Sequence, residues 1–88
     1  MAYYEQDGKT FVDDKLTADE LTALADGDGE VEVYVECPDN HCVAAYLDDP
    51  DAGIRENLTD EAYELLDGEP DVWPEGDGVV GFCLFLAP

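Results

Sequence analysis

The chain reads as a small α+β domain: a mostly antiparallel five-stranded sheet with two helices, in the order β-β-α-β-β-α-β. Three observations predict this. Period-two runs recur between turn signals, two Thr-led helix starts separate them, and 45% of the 88 residues are apolar, including five Tyr, three Phe and one Trp. Disordered acidic segments lack such residues because they cannot offset chain entropy by burial. The length suits one domain over residues 1–88 with one modest core.

The elements follow in order. Ala2–Glu5 and Lys9–Asp13 flank Asp7-Gly8, and Asp-Gly between apolar-containing runs signals a hairpin. Thr17 and Glu20 have capping-box spacing, with Leu16 and Leu21 as a hydrophobic staple. Leu24 and Ala25 continue that apolar face, and Gly27 is suited to end the helix in a left-handed conformation. Glu30–Cys37 alternates strictly, with Val31, Val33, Val35 and Cys37 on one side and Glu30, Glu32, Tyr34 and Glu36 on the other. Pro38–His41 reads as a turn and Cys42–Leu47 as the returning strand. After the Asp48–Gly53 loop, Thr59 caps a second helix that ends near Gly68, with Leu58 and Tyr63 at staple spacing. Glu69–Gly78 reads as a Pro- and Gly-containing connection, and Val79–Leu86 as a central strand, apolar on both faces.

Charge carries the functional information. There are 24 Asp and Glu against 3 Lys and Arg (Lys9, Lys15, Arg55), a formal net charge of −21. Folding does not call for this, because self-repulsion opposes compaction. Solubility does not either, since a net charge of roughly 2–8 in magnitude serves a small domain. Repulsion should also raise the pKa of many carboxylates, so that the fold gains stability as pH falls toward them. Anionic lipid and nucleic acid repel such a surface, so neither is an expected direct ligand. No apolar run approaches the roughly 18 residues of a membrane span, and Met1–Thr10 lacks the basic start and apolar run of a secretory leader. The odd number of cysteines (Cys37, Cys42, Cys83) suits a reducing cytoplasm better than a secreted disulfide scaffold. A cytoplasmic location is therefore expected.

Sites for chemistry are sparse. Cys37, His41, Cys42 and Cys83 depart from zinc-ligand spacing, with His41 directly beside Cys42. The simpler expectation is two small cysteines closing a hairpin and a third in the core. A Cys37–Cys42 disulfide across the turn is geometrically conceivable. The acidic loops Asp26–Glu30 and Asp48–Gly53 do not fit the EF-hand ligand pattern. There is no serine, no Walker lysine motif, and no carboxylate marked by a desolvated pocket. No enzyme activity, metal or cofactor is expected.

The acidic surface itself is the candidate site. Glu30, Glu32 and Glu36 project from one strand face with Tyr34 among them. Alternate strand residues lie about 6.6 Å apart, comparable to the step between neighbouring phosphates. Asp60, Glu61 and Glu64 share the outward face of the second helix. These residues are expected to bind a basic nucleic-acid-binding protein, with Tyr34, Tyr3, Tyr4 or Trp73 available as anchors at the interface or else simply as core.

In size, charge and α+β character, over its whole length, the chain resembles the phage-encoded DNA-mimic inhibitors. That group includes anti-CRISPR proteins and uracil-DNA-glycosylase inhibitors, and within it the chain looks most like the acidic anti-CRISPR proteins that block type I surveillance complexes. The resemblance implies occupation of a basic surface where target DNA would enter, such as that of a CRISPR surveillance-complex subunit, and would make the expected cytoplasm that of a bacterial host cell. It rests on no residue motif, so no functional residue is carried over. Adaptation of a small protein to high salt, or an acidic module for another basic protein, are the alternative readings of the same charge.

Overall fold

The computed structural model describes residues 2–88. Along the chain run β1 (Tyr3–Gln6), β2 (Lys9–Val12), α1 (Ala18–Ala25), β3 (Glu30–Glu36), α2 (Asn40–Asp48), α3 (Pro50–Glu56), α4 (Asp60–Glu64), β4 (Asp71–Gly76) and β5 (Val79–Phe85). The strands form one mixed sheet in the order β1-β2-β3-β5-β4. β2 lies parallel to β3 through the pair Phe11–Tyr34, and the other neighbours are antiparallel. The α+β class and the five-stranded sheet hold; the element order and the number of helices differ from the expectation.

Two Asp-Gly turns build the sheet's outer hairpins. Asp7 and Gly8 join β1 to β2 with φ of 55° and 77°, and Asp77 and Gly78 join β4 to β5 with φ of 55° and 78°. Both central residues at positive φ match the right-handed twist of the flanking strands. The second hairpin falls where a loop was expected. Pro74 is tolerated there because β4 is an edge strand, and a bulge between Pro74 and Gly76 absorbs the irregularity.

The expected strand Cys42–Leu47 is part of helix α2. Asp39 caps it, its carboxylate accepting from Cys42 N at 2.9 Å. Ala44 and Ala45 favour helix, and Val43 and Tyr46 fall on the face packed against the core. His41 therefore lies in a first helical turn and not in a loop. Cys37 and Cys42 form a disulfide with Cα atoms 5.6 Å apart, tying α2 to the end of β3.

The helices cover one face of the sheet. Val31, Val33 and Val35 of β3 and Val80, Phe82 and Leu84 of β5 pack there with Leu21, Ala25, Tyr46, Ile54, Leu58 and Ala62. Phe82, Leu16, Leu21, Ile54 and Leu84 are the largest fully buried side chains, each contributing on the order of 1.5–3 kcal/mol by burial. The two Leu-Thr helix starts lie side by side. Leu16 N donates to Asn57 O and Thr59 N to Leu16 O, both at 2.9 Å, so α1 and α4 set out together. The capping box of α1 is formed: Glu20 N donates to Thr17 Oγ1 and Thr17 N to Glu20 Oε1. The left-handed residue that ends α1 is Asp26, with φ 48°, one position before the expected glycine. α4 stops at Glu64 because the chain tightens there. Leu65 N and Leu66 N reach back three residues, and Leu66 then bridges to Leu86 beside β5.

Candidate functional site: the open face of the sheet

The alternate residues of each strand point away from the helices and build a layered surface. Strand register sets Tyr4, Phe11, Tyr34, Gly81 and Trp73 in one row across all five strands. Tyr4 stacks on Phe11 at 5.4 Å between centroids, Phe11 meets Tyr34 at 5.8 Å, and Trp73 stands edge-on to Tyr34 at 6.3 Å. Gly81 makes this possible. A Cβ there would lie 2.5 Å from Trp73 Cε2, so only glycine lets the indole lie across the strand.

The aromatic row fixes the carboxylates beside it. Tyr4 Oη donates to Glu36 Oε1 at 2.9 Å, Tyr34 Oη to Glu32 Oε2 at 2.5 Å, and Trp73 Nε1 to Glu75 Oε1 at 3.1 Å. Lys9 Nζ bonds the other oxygen of Glu75 at 3.1 Å and lies 5.4 Å from the Tyr34 ring centre. Three carboxylates are thus held by aromatic donors, and each accepts a bond that leaves further lone pairs open.

These contacts shift titration in defined directions. The hydrogen bond to Glu32 comes first in pushing the Tyr34 phenol up to about 12, followed by burial and the charges of Glu32 and Glu75. The bond to Glu36 raises Tyr4. Glu75 is pulled below the usual carboxylate range, first by Lys9 and then by Trp73. Elsewhere Glu20 is lowered by the amides of Ala2 and Thr17, and Asp51 by Tyr63 and Arg55. The carboxylates with displaced titration are therefore displaced downward, opposite to the expectation from bulk repulsion, because local donors outweigh distant like charges across a screening solvent.

The sequence-predicted residues divide between two surfaces. Glu30, Glu32, Tyr34 and Glu36 lie on the open sheet face; Asp60, Glu61 and Glu64 lie on α4 in the helical layer behind it. The three carboxylates of β3 are exposed, but Tyr34 is only 5% exposed. It is an internal strut for Glu32 rather than a projecting anchor. Among the described residues, no hydrogen bond or ion pair holds the side chains of Asp60, Glu61, Glu64 or Glu30. Glu75, Lys9 and Gly81 were missed as parts of the site, because Glu69–Gly78 read as a connection and Gly81 carries no chemistry of its own.

All three cations are engaged within the molecule. Lys9 meets Glu75. Lys15 caps the end of α3 through the carbonyls of Arg55 and Glu56, both at 3.2 Å. Arg55 pairs with Asp51 at 2.9 Å and lies 4.0 Å from the Tyr63 ring centre. Every acidic residue except Glu20 is exposed, so the outward charge is almost wholly negative. A shallow groove of about 480 Å³ continues the open face past Tyr4 and Glu36 to Asp13, Asp14 and Glu56.

The cysteines do not converge on a metal. Cys37 and Cys42 are bonded to each other, and Cys83 is on the open face opposite Glu32, not in the core. Burial first, then Glu30, Asp71 and Glu32, pushes its thiol up. Among the described residues no helix is long and apolar enough to cross a membrane. No protein-family profile, no curated protein and no solved structure matches this chain.

Proposed function

We propose that the protein is a DNA-mimic inhibitor that occupies the basic nucleic-acid-binding surface of a target protein, most specifically an anti-CRISPR acting on a type I surveillance complex. One observation carries the reading: Glu32, Glu36 and Glu75 are each fixed by an aromatic donor on the open sheet face. A merely solvated surface has no need to fix its carboxylates. A phosphate mimic does, because fixed charges meet Lys and Arg with less entropy lost on docking. Nucleic-acid binders gain affinity by neutralising phosphates, and a carboxylate array attracts the same groups over long range. The reading calls for no catalysis and no cofactor. The test adds the protein to a type I surveillance complex, and in parallel to other DNA-binding proteins, and measures duplex binding by gel shift. Displacement of DNA at low salt, weakening as salt rises, is expected. Undiminished DNA binding across the panel refutes the reading.

A second reading, adaptation to a high-salt solvent, is favoured by a different observation: exposed carboxylates are carried by the helical layer as well as by the sheet face. Folding only at molar salt would support it against the first.

A further inference from the structure

The open face already holds one cation in the manner of a guest. Lys9 reaches from β2 over Tyr34 to Glu75 of β4, and its side chain remains 41% exposed. Phe11, Trp73 and the Lys9 ammonium all lie against the ring of Tyr34, a residue 5% exposed. The same three parts recur behind the sheet, where the Arg55 guanidinium lies over Tyr63 with Asp51 beside it. There the cation is 4.0 Å from the ring centre, against 5.4 Å for Lys9. The closer approach is the one expected of the better-stacking cation. A guanidinium is planar, weakly hydrated and able to stack while bonding two carboxylate oxygens; an ammonium is a hydrated point charge.

We propose that Tyr34, Trp73, Glu32 and Glu75 form a receptor for an arginine side chain of a basic protein, with Lys9 as a built-in occupant that the arginine displaces. The proposal rests on the reading above that a basic partner docks on this face, and it names the residue type that face selects. Two carboxylates already oriented by Tyr34 and Trp73 flank the ring, which suits a planar fork and gives lysine no equal advantage. Lys9 then sets a threshold: a cation that stacks and bonds no better than an ammonium leaves it in place, and a better-fitting one replaces it.

The experiment titrates the protein with oligoarginine and oligolysine peptides of equal length, by calorimetry and by the emission of Trp73, the chain's one tryptophan. Oligoarginine is expected to bind roughly fivefold or more tightly than oligolysine and to change Trp73 emission at saturation. Lys9→Arg keeps the net charge and fills the receptor with a guanidinium, so it should weaken oligoarginine binding. Lys9→Met should strengthen it, and should strengthen oligolysine binding less. Circular dichroism checks each fold, and Lys9→Arg serves alone if Lys9→Met does not fold. Equal affinity for the two peptides, unchanged Trp73 emission at saturation, or no effect of Lys9→Arg overturns the proposal. Loss of arginine selectivity with DNA displacement intact overturns this site and leaves the proposed function standing. Selectivity without displacement does the reverse.

Discussion

Glu32 and Glu36 on β3 and Asp60, Glu61 and Glu64 on α4 carry the same kind of charge, yet only the first two are held by neighbours. The difference lies in what stands beside them. On the sheet, a register-aligned aromatic row supplies a phenol or indole donor to each carboxylate next to it. On α4, a helix of five residues, the acidic side chains project into solvent with no aromatic within the outward row. Both surfaces carry exposed carboxylates; behind the sheet Asp51 is held by Tyr63 and Arg55, but the row on α4 has no such support. A partner that reads only charge would use either surface, and one that reads position would use the sheet.

The strongest way to break that comparison removes equal charge from each side. Glu32→Gln, Glu36→Gln and Glu75→Gln together should weaken a captured basic partner by about 2 kcal/mol or more, roughly thirtyfold, as for a set of interface hot spots. Asp60→Asn, Glu61→Gln and Glu64→Gln together should cost only a few-fold, at the scale of exposed pairs. Affinities measured across salt concentrations decide, and equal losses would mean that the order on the sheet has no role.

Gly81→Ala tests the row itself. The new methyl group must push the indole off the strand, an overpacking cost of roughly 1–3 kcal/mol. A lowered melting temperature together with altered Trp73 emission is expected. An unchanged emission spectrum would show that Trp73 does not depend on this glycine. A smaller effect comes from Tyr4→Phe with Tyr34→Phe, which frees Glu36 and Glu32 while every charge stays. Partner affinity should fall by less than in the carboxylate triple, because every charge stays and only its positioning is lost.

The mildest test is titration. Tyr34 is raised to about 12, so its contribution to stability is complete below the ordinary phenol value and is lost as pH climbs through the folded one. Ultraviolet titration should show one tyrosine ionising last. At the acid end, Glu20, Asp51 and Glu75 are lowered. Their stabilisation is present above the ordinary carboxylate range and disappears as pH falls through their depressed values. Thermal melts should therefore decline below about pH 4, with Glu20→Gln flattening the decline. A melt that keeps rising through that range would return the argument to bulk repulsion.

Much of the fold was legible where local chemistry was unambiguous. The Asp7-Gly8 turn, the Thr17–Glu20 box and the strict alternation of Glu30–Glu36 each admit one reading, and each formed. Cys42–Leu47 failed because a six-residue apolar run has no decisive period; the Asp39 cap and the Ala44-Ala45 pair were the signals for helix. Asp71–Gly76 failed because Pro74 suppressed a strand that edge position permits, although Asp77-Gly78 repeats the turn recognised at Asp7-Gly8. For the site, the outward set of β3 was readable from alternation. Its supporting aromatics were not, since Tyr4, Phe11 and Trp73 meet Tyr34 only through pairing between distant strands.

The pairing of β3 with β5 has a kinetic consequence. Val31 lies opposite Leu84 and Val33 opposite Phe82, so the centre of the sheet joins segments separated by three helices and an edge strand. Loop-closure entropy must be overcome before that contact gives any return. During synthesis the β1–β2 hairpin and β3 emerge well ahead of their central partner, with the valines of β3 waiting uncovered. The dense negative charge on the same nascent segment then keeps one unfinished chain away from another until β5 arrives and closes the sheet.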